Sequence, residues 1–319
     1  MVGLSYQQMK TVSKRVFSEH FLSQLSKYFH SSYYYIRRNP KLFIMRKISR
    51  IELLRDLISW LYQITGKSYE IQSIDRSNIQ PIDIDGVVAA IHKNGYCPGI
   101  ELSPDLAQKF LDYAETASCL GDRDPNLQFR LADKPAVEAS LGKQFMVCSY
   151  PTQDCAAVKQ LIDDPTLLAI ASKFLGAKPI CIGSELLWSF PAPSTLKEQT
   201  HQAQVFHYDL DDYRSIKFFF YINAVDISSG PHVCISGTHR HKTLLHQLLG
   251  QRCAAIPDQQ LIAQYGTQNV ITFCGDAGFG FAEDPCCFHK ASPPAKNVRL
   301  LLQVQYSINH YGNIRAFSG

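Results

Sequence analysis

The sequence predicts an α+β protein, mainly β with flanking helices, in which a helical N-terminal segment precedes an antiparallel sandwich or jelly roll. Two observations carry this. Apolar residues recur at three- and four-residue spacing through much of the first half, whereas after residue 178 they gather into short runs separated by turn residues. There is no internal repeat and no low-complexity tract.

Residues 1–80 form the first predicted unit. Val12, Val16, Phe17, Phe21, Leu25 and Phe29 make one helical stripe, and Leu54, Leu57, Ile58 and Leu61 make another. Asn39-Pro40 interrupts the segment, and the polar stretch Ser68 to Pro81 ends it. Residues 81–319 form the second unit. It opens with a helix from Gly86 to Lys93, a turn at Asn94-Gly95 and a short strand near Tyr96. Ser103-Pro104 and Asp164-Pro165 each place a capping side chain before a proline suited to the first turn, and the second of these helices stops at Gly176. Strands follow at Ile180 to Ile182, Leu186 to Phe190, Ile216 to Ile222, Val233 to Ser236, Val270 to Phe273, Gly278 to Phe281 and Arg299 to Tyr306.

The chain has 319 residues, 45% hydrophobic and 19% charged, enough to bury a large core. Met1 to Ser18 lacks a secretory pattern and no segment approaches eighteen uninterrupted apolar residues, so a cytoplasmic protein without a transmembrane segment is expected. Ten cysteines are scattered without a CxxC pair and are expected to be reduced thiols. The net charge of +4 is unevenly spread: residues 1–50 hold ten Lys or Arg and one acid, Glu19, giving +9 there and −5 elsewhere. Such an arm suits a membrane surface, an acidic carrier or nucleic acid, and equally a solvated helical face.

His207-Tyr-Asp209 sets an imidazole and a carboxylate two residues apart, on one side of an extended chain. Alone the triplet is weak, because roughly 0.7 of them arise by chance at this composition. His289 adds a third candidate ligand downstream. Two His and one carboxylate on one face of a metal, with other positions open, suit non-haem iron(II). Arg299 begins a strongly apolar strand, where a guanidinium needs an anion: a bound carboxylate or an internal Asp or Glu. Lys217 shares strand parity with Phe219 and Tyr221, so it either grips an anionic group or snorkels from a strand end. His239, His241 and His246 lie in a basic loop and are expected on a solvated surface.

The series His207-Tyr-Asp209, Ile222-Asn-Ala-Val-Asp226, Gly230-Pro-His-Val-Cys-Ile-Ser-Gly-Thr-His239, Gly275-Asp276 and His289 to Arg299 resembles the phytanoyl-CoA dioxygenase family, across roughly residues 83 to 310. The resemblance implies a double-stranded β-helix and an Fe(II)/2-oxoglutarate-dependent dioxygenase consuming O2. It implies His207, Asp209 and His289 as the catalytic iron ligands, Arg299 as the anchor of 2-oxoglutarate, and Phe219 as the aromatic on the strand after the first two ligands. The family often has Ser two residues after the distal His. Here Ala291 stands there and Ser292 follows, so Ser292 is the candidate co-substrate contact. Relatives that halogenate have Gly or Ala where Asp209 stands, so hydroxylation of an unactivated C–H bond, releasing succinate and CO2, is the implied reaction. The expected partner is a small lipid-like, natural-product or carrier-bound (including CoA-bound) substrate, with nucleic acid a poor third choice. Two other readings remain open: a non-catalytic jelly-roll scaffold, and a cupin-like iron enzyme that does not use 2-oxoglutarate.

Overall fold

A computed structural model describes residues 36–65, 77–251 and 256–312. The stripe from Val12 to Phe29 and most of the polar stretch after Ser68 lie outside the described residues.

Among the described residues eleven strands are formed: β1 Tyr96–Pro98, β2 Ser118–Gly121, β3 Gln128–Arg130, β4 Val147–Tyr150, β5 Ile180–Ser189, β6 Ser215–Tyr221, β7 His232–Ile235, β8 Val270–Phe273, β9 Gly280–Glu283, β10 Phe288–Ala291 and β11 Arg299–Ser307. Eight make an antiparallel sheet in the order β1-β9-β6-β11-β5-β4-β2-β3, and three make a smaller one, β10-β7-β8. This is the expected jelly roll. The two runs read at 180–182 and 186–190 are one strand, β5, continuous through Gly183, while β2, β3, β4 and β10 were not foreseen.

The middle of the large sheet is buried on both faces, which explains the unbroken apolar run Phe218 to Tyr221 in β6. Ile216, Phe218 and Phe220 face the helices, together with Leu300, Leu302 and Val304 of β11. Phe219 and Tyr221 face the interior, with Phe281 of β9, Leu301 of β11, and Cys234 and Phe273 of the small sheet. Helices Ile84–Asn94, Pro104–Thr116 and Pro165–Leu175 cover the outer face through Val87, Ile91, Leu106, Phe110, Ile170 and Phe174. Their ends follow the sequence signals: Asp83, Ser103 and Asp164 cap the N-termini, and Gly95 and Gly176 end two of them in the left-handed conformation.

Helices Pro40–Ser49 and Glu52–Thr65 precede this unit. The second has the predicted spacing but the opposite orientation to a core helix. Arg55 and Ser59 face the body, whereas Leu54, Leu57 and Leu61 are exposed. The inward side is held by polar bonds: Arg55 donates to the His239 carbonyl at 2.7 Å, Ser59 to the Tyr213 carbonyl at 3.0 Å, and Glu52 pairs with Lys242 at 3.2 Å. No helix among the described residues is long and apolar enough to cross a membrane. The nine cysteines within the described residues are free thiols.

Candidate active site

His207 and His289 meet because their backbones do. His207 N donates to His289 O at 3.1 Å and His289 N to His207 O at 2.8 Å, a reciprocal antiparallel pair that puts both side chains on one face. Their rings lie 4.6 Å apart. Asp209, two residues along, projects on the same side, and one ligand atom from each of His207, Asp209 and His289 lies within 4.8 Å of the others. Both histidines are oriented identically. Nδ1 of His207 donates to the Val205 carbonyl and Nδ1 of His289 to the Cys287 carbonyl, each at 2.9 Å, leaving both Nε2 lone pairs free for a cation. The donor set of two imidazole nitrogens and a carboxylate fits iron(II), with coordination positions left open.

Lys217 is buried mid-strand, not at a strand end, and its Nζ donates to Asp209 Oδ2. Burial works against the charge on both groups. Lys217 and the two histidines nonetheless hold the Asp209 carboxyl well below the ordinary carboxylate range, and Asp209 and Asp211 hold the Lys217 ammonium above its usual value.

Behind His289 sits a pair that sequence reasoning did not single out. His232 of β7 and Glu283 of β9 are both buried, with Nε2 and Oε2 2.6 Å apart. The His232 ring stacks on His289 at 5.5 Å, and Glu283 Oε1 faces His289 Nδ1 at 3.4 Å without a hydrogen bond of its own. Burial pushes Glu283 up to about 7, and burial, Arg299 and Lys217 push His232 well below the usual histidine range. Strand parity held the signal: Glu283 is two residues beyond the inward Phe281.

Arg299 opens β11 and is buried. One guanidinium nitrogen, Nη1, donates to the Gly230 carbonyl and the other, Nη2, to Ser189 Oγ at 3.1 Å. Its Nε has no partner, and no carboxylate pairs with it among the described residues. Burial lowers its pKa. Phe219 stacks on Phe281 at 4.9 Å and lies 4.6 Å from the His232 ring. Ser292 is half-buried; its backbone N–H donates to the Pro231 carbonyl at 2.9 Å, next to the residue whose carbonyl receives Arg299. His239 and His246 are buried rather than solvated: His239 donates to the His92 carbonyl at 3.1 Å and His246 bonds Tyr265 at 2.7 Å. Helix Glu52–Thr65 seals that loop through Arg55 and Glu52.

No family model and no curated protein matches the sequence. Among solved structures, SnoN, the non-heme α-ketoglutarate-dependent epimerase from nogalamycin biosynthesis, aligns with a TM-score of 0.51 at 12% identity, covering 70% of this chain and 82% of SnoN. The chain shares the SnoN fold. Also similar are EctD from S. alaskensis (TM-score 0.48, 17% identity, 76% of this chain and 88% of EctD) and AviO1 from Streptomyces viridochromogenes Tue57 (0.46, 13%, 72% and 96%).

Proposed function

We propose that this protein is an Fe(II)/2-oxoglutarate-dependent oxygenase acting on an unactivated C–H bond of a small lipid-like, natural-product or carrier-bound substrate. The observation that supports it best is Arg299: a buried guanidinium with an unpartnered Nε and no carboxylate among the described residues, in the same jelly roll as the His207, Asp209 and His289 cluster. A buried cation without an internal acid calls for an anion from outside. The order of motifs shared with the phytanoyl-CoA dioxygenase family supports the same reading.

His207, Asp209 and His289 would hold the iron, which when bound supplies dioxygen activation coupled to oxidative decarboxylation of the keto acid. Arg299 would fix the far carboxylate of 2-oxoglutarate with its planar fork, aided by the Ser189 hydroxyl that already contacts it. The Val205 and Cys287 carbonyls keep both imidazoles in the tautomer a metal needs. Phe219, Tyr221, Phe281 and Phe273 form a buried apolar cluster between the two sheets.

Lys217 favours one competing reading. Its ammonium already satisfies Asp209, as it would in a scaffold that has given up metal. Anaerobic addition of Fe(II) and then 2-oxoglutarate decides between them. A weak visible charge-transfer band that is lost in Asp209→Ala and Arg299→Ala is the expected result. Iron binding without the band would leave a cupin-like enzyme, and no iron binding would leave the scaffold.

A further inference from the structure

Helix Glu52–Thr65 is amphipathic the wrong way round for a monomer in water. Leu53, Leu54, Leu57, Trp60, Leu61 and Ile64 are 44 to 83% exposed, and at 100° per residue they fall within an arc of about 120°. The opposite side carries Arg55 and Ser59, whose bonds to the His239 and Tyr213 carbonyls fix the helix with its apolar side outward. Its start is tied to a second such helix, Leu244–Leu249, where Glu52 N donates to Gln247 Oε1 at 3.0 Å. That helix exposes Leu244, Leu245, Leu248 and Leu249. An apolar surface of this size on two adjoining helices marks an interaction face.

We propose that this face docks on an anionic lipid surface. Charge argues for lipid over a protein partner. Residues 1–50 carry +9, and of these Arg37, Arg38 and Lys41 are exposed around the start of the preceding helix, Pro40–Ser49. Both acids of the helix are committed, Glu52 to Lys242 and Asp56 to Arg55 at 3.4 Å. An exposed apolar stripe that includes a tryptophan, next to a preceding segment that holds six Lys or Arg and no acid between residues 36 and 50, suits a helix that lies in the headgroup region. A second copy docked here would bring two +9 arms together. The face is also tied to the metal loop. Arg46 donates to the Leu210 carbonyl and pairs with Asp211, and Tyr208 donates to the Gln247 carbonyl. Tyr208 thus links helix Leu244–Leu249 of this face to the segment that bears Asp209. The inference does not depend on the oxygenase assignment.

The chain has two tryptophans, and Trp188 is buried, so a change in emission reports Trp60. Full-length protein is mixed with phosphatidylcholine vesicles with and without phosphatidylserine. The expected result is red-shifted emission in buffer, a blue shift and co-sedimentation with phosphatidylserine vesicles, and release by salt. Leu57→Glu, at an exposed position, should leave the thermal melt unchanged and weaken vesicle binding about tenfold or more. Absence of the blue shift, or Leu57→Glu binding like the wild type, overturns the proposal. So does emission already blue in buffer: the face is then covered by residues 12–29 if the molar mass is that of a monomer, or by a second copy if it is doubled.

Discussion

Lys217 and Asp209 are the two side chains whose fates are most tightly linked. On the proposed function, a buried ammonium within bonding distance of a carboxylate that would also hold a divalent cation sets two positive charges in competition for one anion. At a separation near 5 Å and an effective dielectric near 20, a monovalent and a divalent cation repel by about 7 kcal/mol, partly offset because each also stabilises Asp209. Lys217→Met preserves the stem and removes the charge. It should tighten Mn(II) binding by at least about tenfold, as read by titration calorimetry. Weaker binding would mean instead that Lys217 chiefly orients Asp209.

At the scale of elements, the turn after β6 prepares the place of Arg299. Asp226 accepts hydrogen bonds from the backbone and side chains of Ser228 and Ser229, closing a 3-10 turn at Ile227–Ser229 that ends on left-handed Gly230. A Cβ at Gly230 would sit 2.5 Å from the Ser292 carbonyl, and the Gly230 carbonyl receives Arg299. Asp226→Ala should therefore weaken 2-oxoglutarate binding roughly tenfold while leaving Mn(II) affinity unchanged. The Ser228 and Ser229 bonds lower Asp226 from 3.8 to about 2. The resulting stabilisation is present above pH 3.8 and is lost as pH falls through about 2. Urea unfolding at pH 6 and at pH 2 should show a larger loss for the wild type than for Asp226→Asn. Elements like this one were legible because their signals are local: a capping Asp, a glycine stop, an alternating strand. β10 was not, since Phe288-His-Lys-Ala is four residues long and becomes a strand only by pairing with β7 and with His207. The His207 to His289 contact spans 82 residues and came from motif resemblance, whereas the His232–Glu283 pair, which joins the two sheets, left only the strand parity of Glu283 as a signal.

At the scale of the whole molecule, the N-terminal helices were legible as helices but not in their orientation. Periodicity locates an apolar stripe and says nothing about which side the body takes; here buried polar bonds outweigh the stripe. Arg55 is the centre of that attachment. Its side chain is 5% exposed, it donates to the His239 carbonyl, and its charge helps hold the buried Asp284 below the usual carboxylate range. Replacing it by Leu keeps much of the volume but strands the carbonyl and leaves Asp284 with less compensation. A cost of about 3 kcal/mol is expected from losing a buried charged partner, measured as a shift in the urea midpoint at constant slope. The helices also grip the loop after Asp209 through Arg46, so Arg55→Leu should in addition weaken Mn(II) binding. If stability falls and metal affinity does not, the helices dock on the jelly roll without supporting its metal loop.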